Sequence, residues 1–135
     1  MQPARQTVPE DLAARIRIKR VYRAARVSDG KRILVDRVWP RGVAKDRARL
    51  SLWCKEIAPS NELRLWFHDH PEQWQTFCTR YQVELGVHEN LVRSLARYAY
   101  DGVVTLLYAS KNEAENNAIV LRDYLRRWLR REDQR

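Results

Sequence analysis

Two short segments carry most of the side chains able to do chemistry. One is Asp36-Arg37-Val38-Trp39-Pro40-Arg41-Gly42, and the other is Tyr108-Ala109-Ser110-Lys111-Asn112. Arg37 and Arg41 are suited to clamping an anion, because a guanidinium offers parallel N–H donors to phosphate or carboxylate oxygens. Lys111 would add a point charge beside them. Trp39 or Tyr108 offers a ring on which a planar group can stack. Asp36 can orient one arginine, or act as a catalytic acid or base if burial raises its pKa. Structural duties compete with each of these roles. Asp36 and Glu56 can neutralise the three cations as an ion-pair network, Trp39 can anchor a core, and Ser110 and Asn112 can cap a helix.

Other chemistries lack their residues. The chain has four glycines and no Gly-x-Ser-x-Gly, Gly-x-Gly-x-x-Gly or Gly-rich phosphate loop. That argues against a nucleotide kinase or a dinucleotide oxidoreductase. The two cysteines, Cys54 and Cys78, form no Cys-x-x-Cys, and with His68 and His70 they match no common zinc spacing. No metal and no cofactor are expected. Whether any reaction is catalysed is left open.

For the two segments to meet, strands must deliver them. Residues 16–22 alternate apolar and basic, residues 32–38 contain Ile-Leu-Val in succession, and residues 103–108 are apolar and β-branched, which predicts three strands. Helices are predicted over 50–57, over 61–68 with Ser60 as cap, over 71–85 with Pro71 at its first position, and over 90–100. A long last helix runs from just beyond Asn112 to about Arg131, its buried stripe Ala114, Ala118, Leu121, Leu125 and Trp128. Strands separated by helices argue for an α/β fold, an open and mainly parallel sheet flanked by helices. About eight residues join the first two strands, so a hairpin competes with a parallel crossover there. Residues 1–15, with Pro3 and Pro9, read as a flexible tail holding one helical turn at 10–15; residues 16–131 read as a single domain. Ligands of open α/β sheets collect at the carboxyl ends of the strands. The free N–H groups of a helix starting at Ser110–Asn112 would complete an anion site there.

The 135 residues are 44% hydrophobic and 32% charged, enough for one packed domain, and no apolar run is long enough to cross a membrane. No secretory leader is expected, and cysteine usage points to a reducing, cytoplasmic setting. The net charge is +9, with Arg outnumbering Lys 21 to 5. Residues 1–50 hold 14 Lys and Arg against 5 Asp and Glu, while the remainder is balanced at 12 against 12. Such an excess attracts phosphate-bearing partners. The first partner it suggests is a small anionic ligand at the strand ends. The alternative is nucleic acid bound through Arg15, Arg17, Lys19, Arg20, Arg23, Arg26, Lys31 and Arg32. Aromatic residues are not interleaved with that run as a stacking groove would require. The oligomeric state is not legible.

Five segments together resemble one family. They are Ser28-Asp29-Gly30 with Leu34-Val35-Asp36-Arg37-Val38-Trp39-Pro40-Arg41-Gly42; Trp53-x-Lys55-Glu56-Ile57-x-Pro59-Ser60; Leu63-Arg64-x-x-Phe67-His68; Leu106-Leu107-Tyr108-Ala109-Ser110-Lys111-Asn112; and Asn116-x-Ala118-x-Val120-Leu121. Over about residues 16–129 the chain resembles the YeaO-like proteins of the domain of unknown function 488 family. The resemblance implies a small Rossmann-like α/β domain of cytosolic type, with a parallel first junction and no established activity. Larger relatives look as though they carry Cys-His-Arg where this chain has Asn116-Asn117-Ala118. Thiol or imidazole chemistry is therefore not expected at those positions.

Overall fold

The computed structural model describes residues 11–133 of the chain. Four parallel strands form one sheet: β1 (Ile16–Arg20), β2 (Lys31–Leu34), β3 (Leu52–Trp53) and β4 (Val104–Tyr108), in the spatial order β1-β4-β2-β3. β4 lies between the first two strands, so no hairpin joins them; Ile16 pairs with Val104, and Leu34 with Leu107. All five residues of β4 are buried, as its unbroken apolar sequence requires of a central parallel strand. The crossover from β1 to β2 contains only a 3-10 turn, Val27–Asp29.

That crossover is held by charge and by glycine. The half-buried Lys19 and the buried Arg32 both meet the Asp29 carboxylate, at 3.0 and 2.6 Å, and Arg32 Nε also donates to the Ala48 carbonyl. Burial raises the Asp29 carboxyl, but the Arg26 N–H, Lys19 and Arg32 outweigh it and hold the pKa below the ordinary value. Gly30 has φ +65, and a Cβ there would stand 2.2 Å from the Val103 carbonyl oxygen, so only glycine fits.

Five helices follow the strands: α1 (Lys45–Ala48), α2 (Asn61–Asp69), α3 (Trp74–Val87), α4 (Glu89–Arg97) and α5 (Asn117–Asp133). One face of the sheet, with Ile16, Ile33, Val35 and Leu106, packs on Phe77, Tyr81 and Leu85 of α3, Leu95 of α4 and Leu121 and Leu125 of α5. The other face, with Val21, Leu34 and Leu107, is covered by Trp39, Val43, Leu50 and Trp53. The α/β class and the parallel sheet are as expected.

Several boundaries differ. Residues 50–57 form no α-helix, only a 3-10 turn at Lys55–Ile57: the Ser51 and Cys54 N–H groups donate to the Arg32 and Leu34 carbonyls, drawing the segment onto the free edge of β2 as β3. Pairing overrides its weak helical pattern. α3 begins at Trp74, because the Gln73 N–H closes a turn onto the His70 carbonyl and leaves Pro71 outside. The last helix begins at Asn117, so Ala114 is exposed in the preceding loop. Its buried stripe runs Ala118, Leu121, Leu125 and Leu129, and Trp128 is only half-buried. Of the expected tail, residues 1–10 lie outside the described residues. Leu12–Arg15 form the helical turn with Leu12 and Ala13 buried, so packing starts four residues before Ile16.

Candidate functional site

β2 and β4 are neighbours whose chains leave in opposite directions. β2 runs on towards β3, while β4 runs towards α5, which packs beside β1. Such a divergence opens a crevice at the carboxyl ends of the strands. A cavity of about 630 Å³ lies there, with walls from residues 36–41, from 109–117 and from α2.

Asp36 stands where the ladder between β2 and β4 breaks. Continuing the register would bring the Ala109 N–H to the Val35 carbonyl. Instead Ala109 donates to Asp36 Oδ2 at 2.9 Å, and the Asn117 side-chain amide donates to both the Val35 carbonyl and Asp36 Oδ1, each at 3.1 Å. Burial raises the Asp36 pKa; these two donors and the Arg64 charge pull it only part of the way back.

Arg37 donates from Nε to the Pro59 carbonyl at 3.1 Å and from Nη2 to the Ala58 carbonyl at 3.3 Å, which fixes its guanidinium on one wall. Arg41 is exposed on the same lining, and its carbonyl accepts from the Tyr22 hydroxyl at 2.8 Å. Trp39 lines the cavity, donates its indole N–H to Val43 and sits edge-on to Trp53, so its anchoring duty is met. Ser110 and Asn112 are also on the lining, but they cap no helix. Ser110 Oγ accepts the Asn112 N–H, and Asn112 Oδ1 accepts the Ala114 and Glu115 N–H groups as an Asx turn. Asn116 takes over the capping, accepting the Ile119 N–H on Oδ1 at 3.0 Å. Lys111 is exposed away from the lining, and Tyr108 is buried in the sheet behind it. The structure thus brings together Asp36, Arg37, Trp39, Arg41, Ser110 and Asn112, and leaves Lys111 and Tyr108 out.

The lining adds residues that were not among the expected anion-site residues: Arg64 and His68 of α2, Glu115, Asn116 and Asn117. The segment Leu63-Arg64-x-x-Phe67-His68 was the signal for the first two. Among the described residues, no carboxylate lies within 4.0 Å of Arg37, Arg41 or Arg64, and Glu56 is exposed outside the cavity. The ion-pair network through Asp36 and Glu56 is therefore absent from this site.

The basic run at the start of the chain is largely tied into the fold. Lys19 and Arg32 hold Asp29; Arg15 donates to the Ala99 carbonyl and Arg20 to that of Ser110; Arg23 pairs with Glu113; and Lys31 lies over the Tyr98 ring. Among the described residues, no helix is long and apolar enough to cross a membrane.

Residues 15–135 match the family described as the inactive DUF488-N3 subclade. The chain is 50% identical over 111 residues to the uncharacterised protein YeaO of Escherichia coli K12, spanning 82% of this chain and 96% of that protein. It is 43% identical over 112 residues to uncharacterised proteins of Mycobacterium bovis and Mycobacterium tuberculosis, spanning 82% of this chain and 93% of each of them. No solved structure matches.

Proposed function

The chain belongs to the DUF488 family, in the subclade described as inactive, and from that premise we propose that it binds a small phosphate-bearing or other anionic ligand at the carboxyl ends of β2 and β4. One observation carries this reading: Arg37, Arg41 and Arg64 line one cavity and none is neutralised by a carboxylate. Three like charges around one space repel, and the Asp36 and Glu115 carboxyls that share the cavity form an ion pair with none of them, so an incoming anion is still attracted. Guanidinium groups are also the side chains best shaped for phosphate or carboxylate. The volume of about 630 Å³ falls within the range of small-molecule sites. Asp36 serves here as a positioning group, since its carboxylate replaces a missing rung of the ladder.

The test is calorimetric titration of inorganic phosphate and sulfate into wild type, Arg41→Ala and Arg64→Ala. Both exposed arginines can be removed without disturbing the core. Binding to wild type that weakens in each variant is expected; equal binding in all three removes the anion site. The nucleic-acid reading is supported only by the basic excess of residues 1–50, and the internal partners of Lys19, Arg32, Arg15, Arg20 and Arg23 weigh against it.

A further inference from the structure

The cavity is not uniformly basic. Its cations come from residues 36–41 and from α2, whereas the wall formed by residues 109–117 contributes Ser110, Asn112, Glu115 and two asparagines, and no cation. Glu115 is half-buried and faces the same space. Its backbone is set by the bond from its N–H to Asn112 Oδ1 at 2.9 Å. Among the described residues its carboxylate receives no hydrogen bond and no ion pair from the protein. The Asp36 carboxyl stands where the two walls meet, bonded to Ala109 and Asn117.

A simple anion seated on the arginines would face Glu115 and Asp36 as like charges. A dipolar ligand relieves both conflicts at once, because its negative end meets guanidinium groups and its positive end meets carboxylates. We propose that the crevice takes an organic zwitterion of the amino-acid or dipeptide kind, its carboxylate on the arginine wall and its protonated amine on Glu115. Phe67, Pro59 and Trp39 on the lining supply apolar surface for the side chain. This inference rests on the anion-site reading and narrows it to one ligand class.

The experiment compares amine-bearing ligands with their N-acetylated counterparts: phenylalanine against N-acetylphenylalanine, and glycylphenylalanine against its N-acetyl form. Binding to the full chain is measured by calorimetry at neutral pH, for wild type and for Glu115→Gln. The expected result is that at least one amine-bearing ligand binds about tenfold tighter than its acetylated partner, the scale of one charge-assisted hydrogen bond. Glu115→Gln, with its circular dichroism spectrum unchanged, should reduce that ratio to about one to threefold by weakening the amine-bearing ligand, while the acetylated ligand binds no more weakly than before. Equal binding of both members of each pair to wild type overturns the zwitterion, and sulfate binding then still stands for the anion site. A ratio that survives in Glu115→Gln overturns the role given to that residue. If neither sulfate nor any of the four ligands binds, the anion site and the zwitterion fall together.

Discussion

Asn117, the first residue of α5, reaches back to Asp36 and donates its side-chain amide to Oδ1 at 3.1 Å. The same amide group also serves the Val35 carbonyl, so one side chain ties the start of the last helix to the end of β2. Together with the Ala109 N–H on Oδ2, it decides where the carboxylate at the base of the cavity points.

Asn117→Ala removes both bonds and leaves the Val35 carbonyl without the partner that replaced its ladder donor. A loss of about 1–3 kcal/mol is expected, the range for hydrogen bonds to a charged group and a buried carbonyl. Urea denaturation measures it. A change below about 0.5 kcal/mol would show that the amide does not hold the two elements together.

Anion binding should strengthen as the pH falls. The raised pKa of Asp36 means that the folded protein takes up this proton at a higher pH than an ordinary carboxyl would. Below that value the carboxylate no longer opposes an incoming anion. Sulfate keeps its charge throughout and is the proper probe. Asp36→Asn should bind sulfate more tightly at neutral pH and lose this part of the pH dependence. For stability the sign follows the same shift: the contribution of Asp36 is full below its unfolded pKa and is lost as pH rises through the folded one.

Asp29 behaves in the opposite sense. Its folded pKa is lowered, so its contribution is present above the unfolded value and is lost as pH falls through the folded one. Arg32→Met leaves the carboxylate with Lys19 and the Arg26 N–H and should cost about 3 kcal/mol, the lower end for breaking a buried pair. The acid limb of the stability–pH profile should flatten in that variant. A variant with the wild-type acid limb would refute the coupling.

Gly30→Ala should destabilise by about 1–3 kcal/mol from backbone strain alone. The contact of a Cβ with the Val103 carbonyl adds to that figure, because that oxygen immediately precedes β4 and is held by the Lys31 N–H. Thermal unfolding would register the loss as a fall in Tm. An unchanged Tm would mean that the crossover is free to rearrange.

The legible parts of the fold were those set by local composition. Val104–Tyr108 could be read because a central strand needs apolar residues on both faces, and Ser60 because a hydroxyl ahead of a helix has one natural duty. Leu52–Trp53 could not, since two residues carry no periodicity and become a strand only by lying against β2. The start of the last helix was misplaced because Ser110, Asn112 and Asn116 all offer a capping oxygen, and which one caps depends on the turn that Asn112 closes. The end of the buried stripe was misread for a separate reason: after Leu125, both Trp128 at i+3 and Leu129 at i+4 fit one helical face, and packing buries Leu129. Leu129→Ala should accordingly cost about 2–5 kcal/mol, and Trp128→Ala less than the full cost of a buried indole. At the site, Arg37 and Arg41 follow from the strand they leave. Arg64 and Glu115 reach the cavity only because α2 and the loop after β4 fold back over it.

The position of β4 has a consequence for how the chain assembles. Among the described residues β1 pairs with β4 alone, and β2 reaches β1 only through it. During synthesis the sheet therefore lacks its middle until residue 108 has left the ribosome. The first hundred residues must wait with the edges of β1 and β2 that face β4 unpaired. That places the rate-limiting encounter late and between distant parts of the chain, the circumstance that slows folding and lengthens exposure to aggregation. A chain cut in the loop before Val104 should yield two pieces that stay unfolded apart and regain a sheet when mixed.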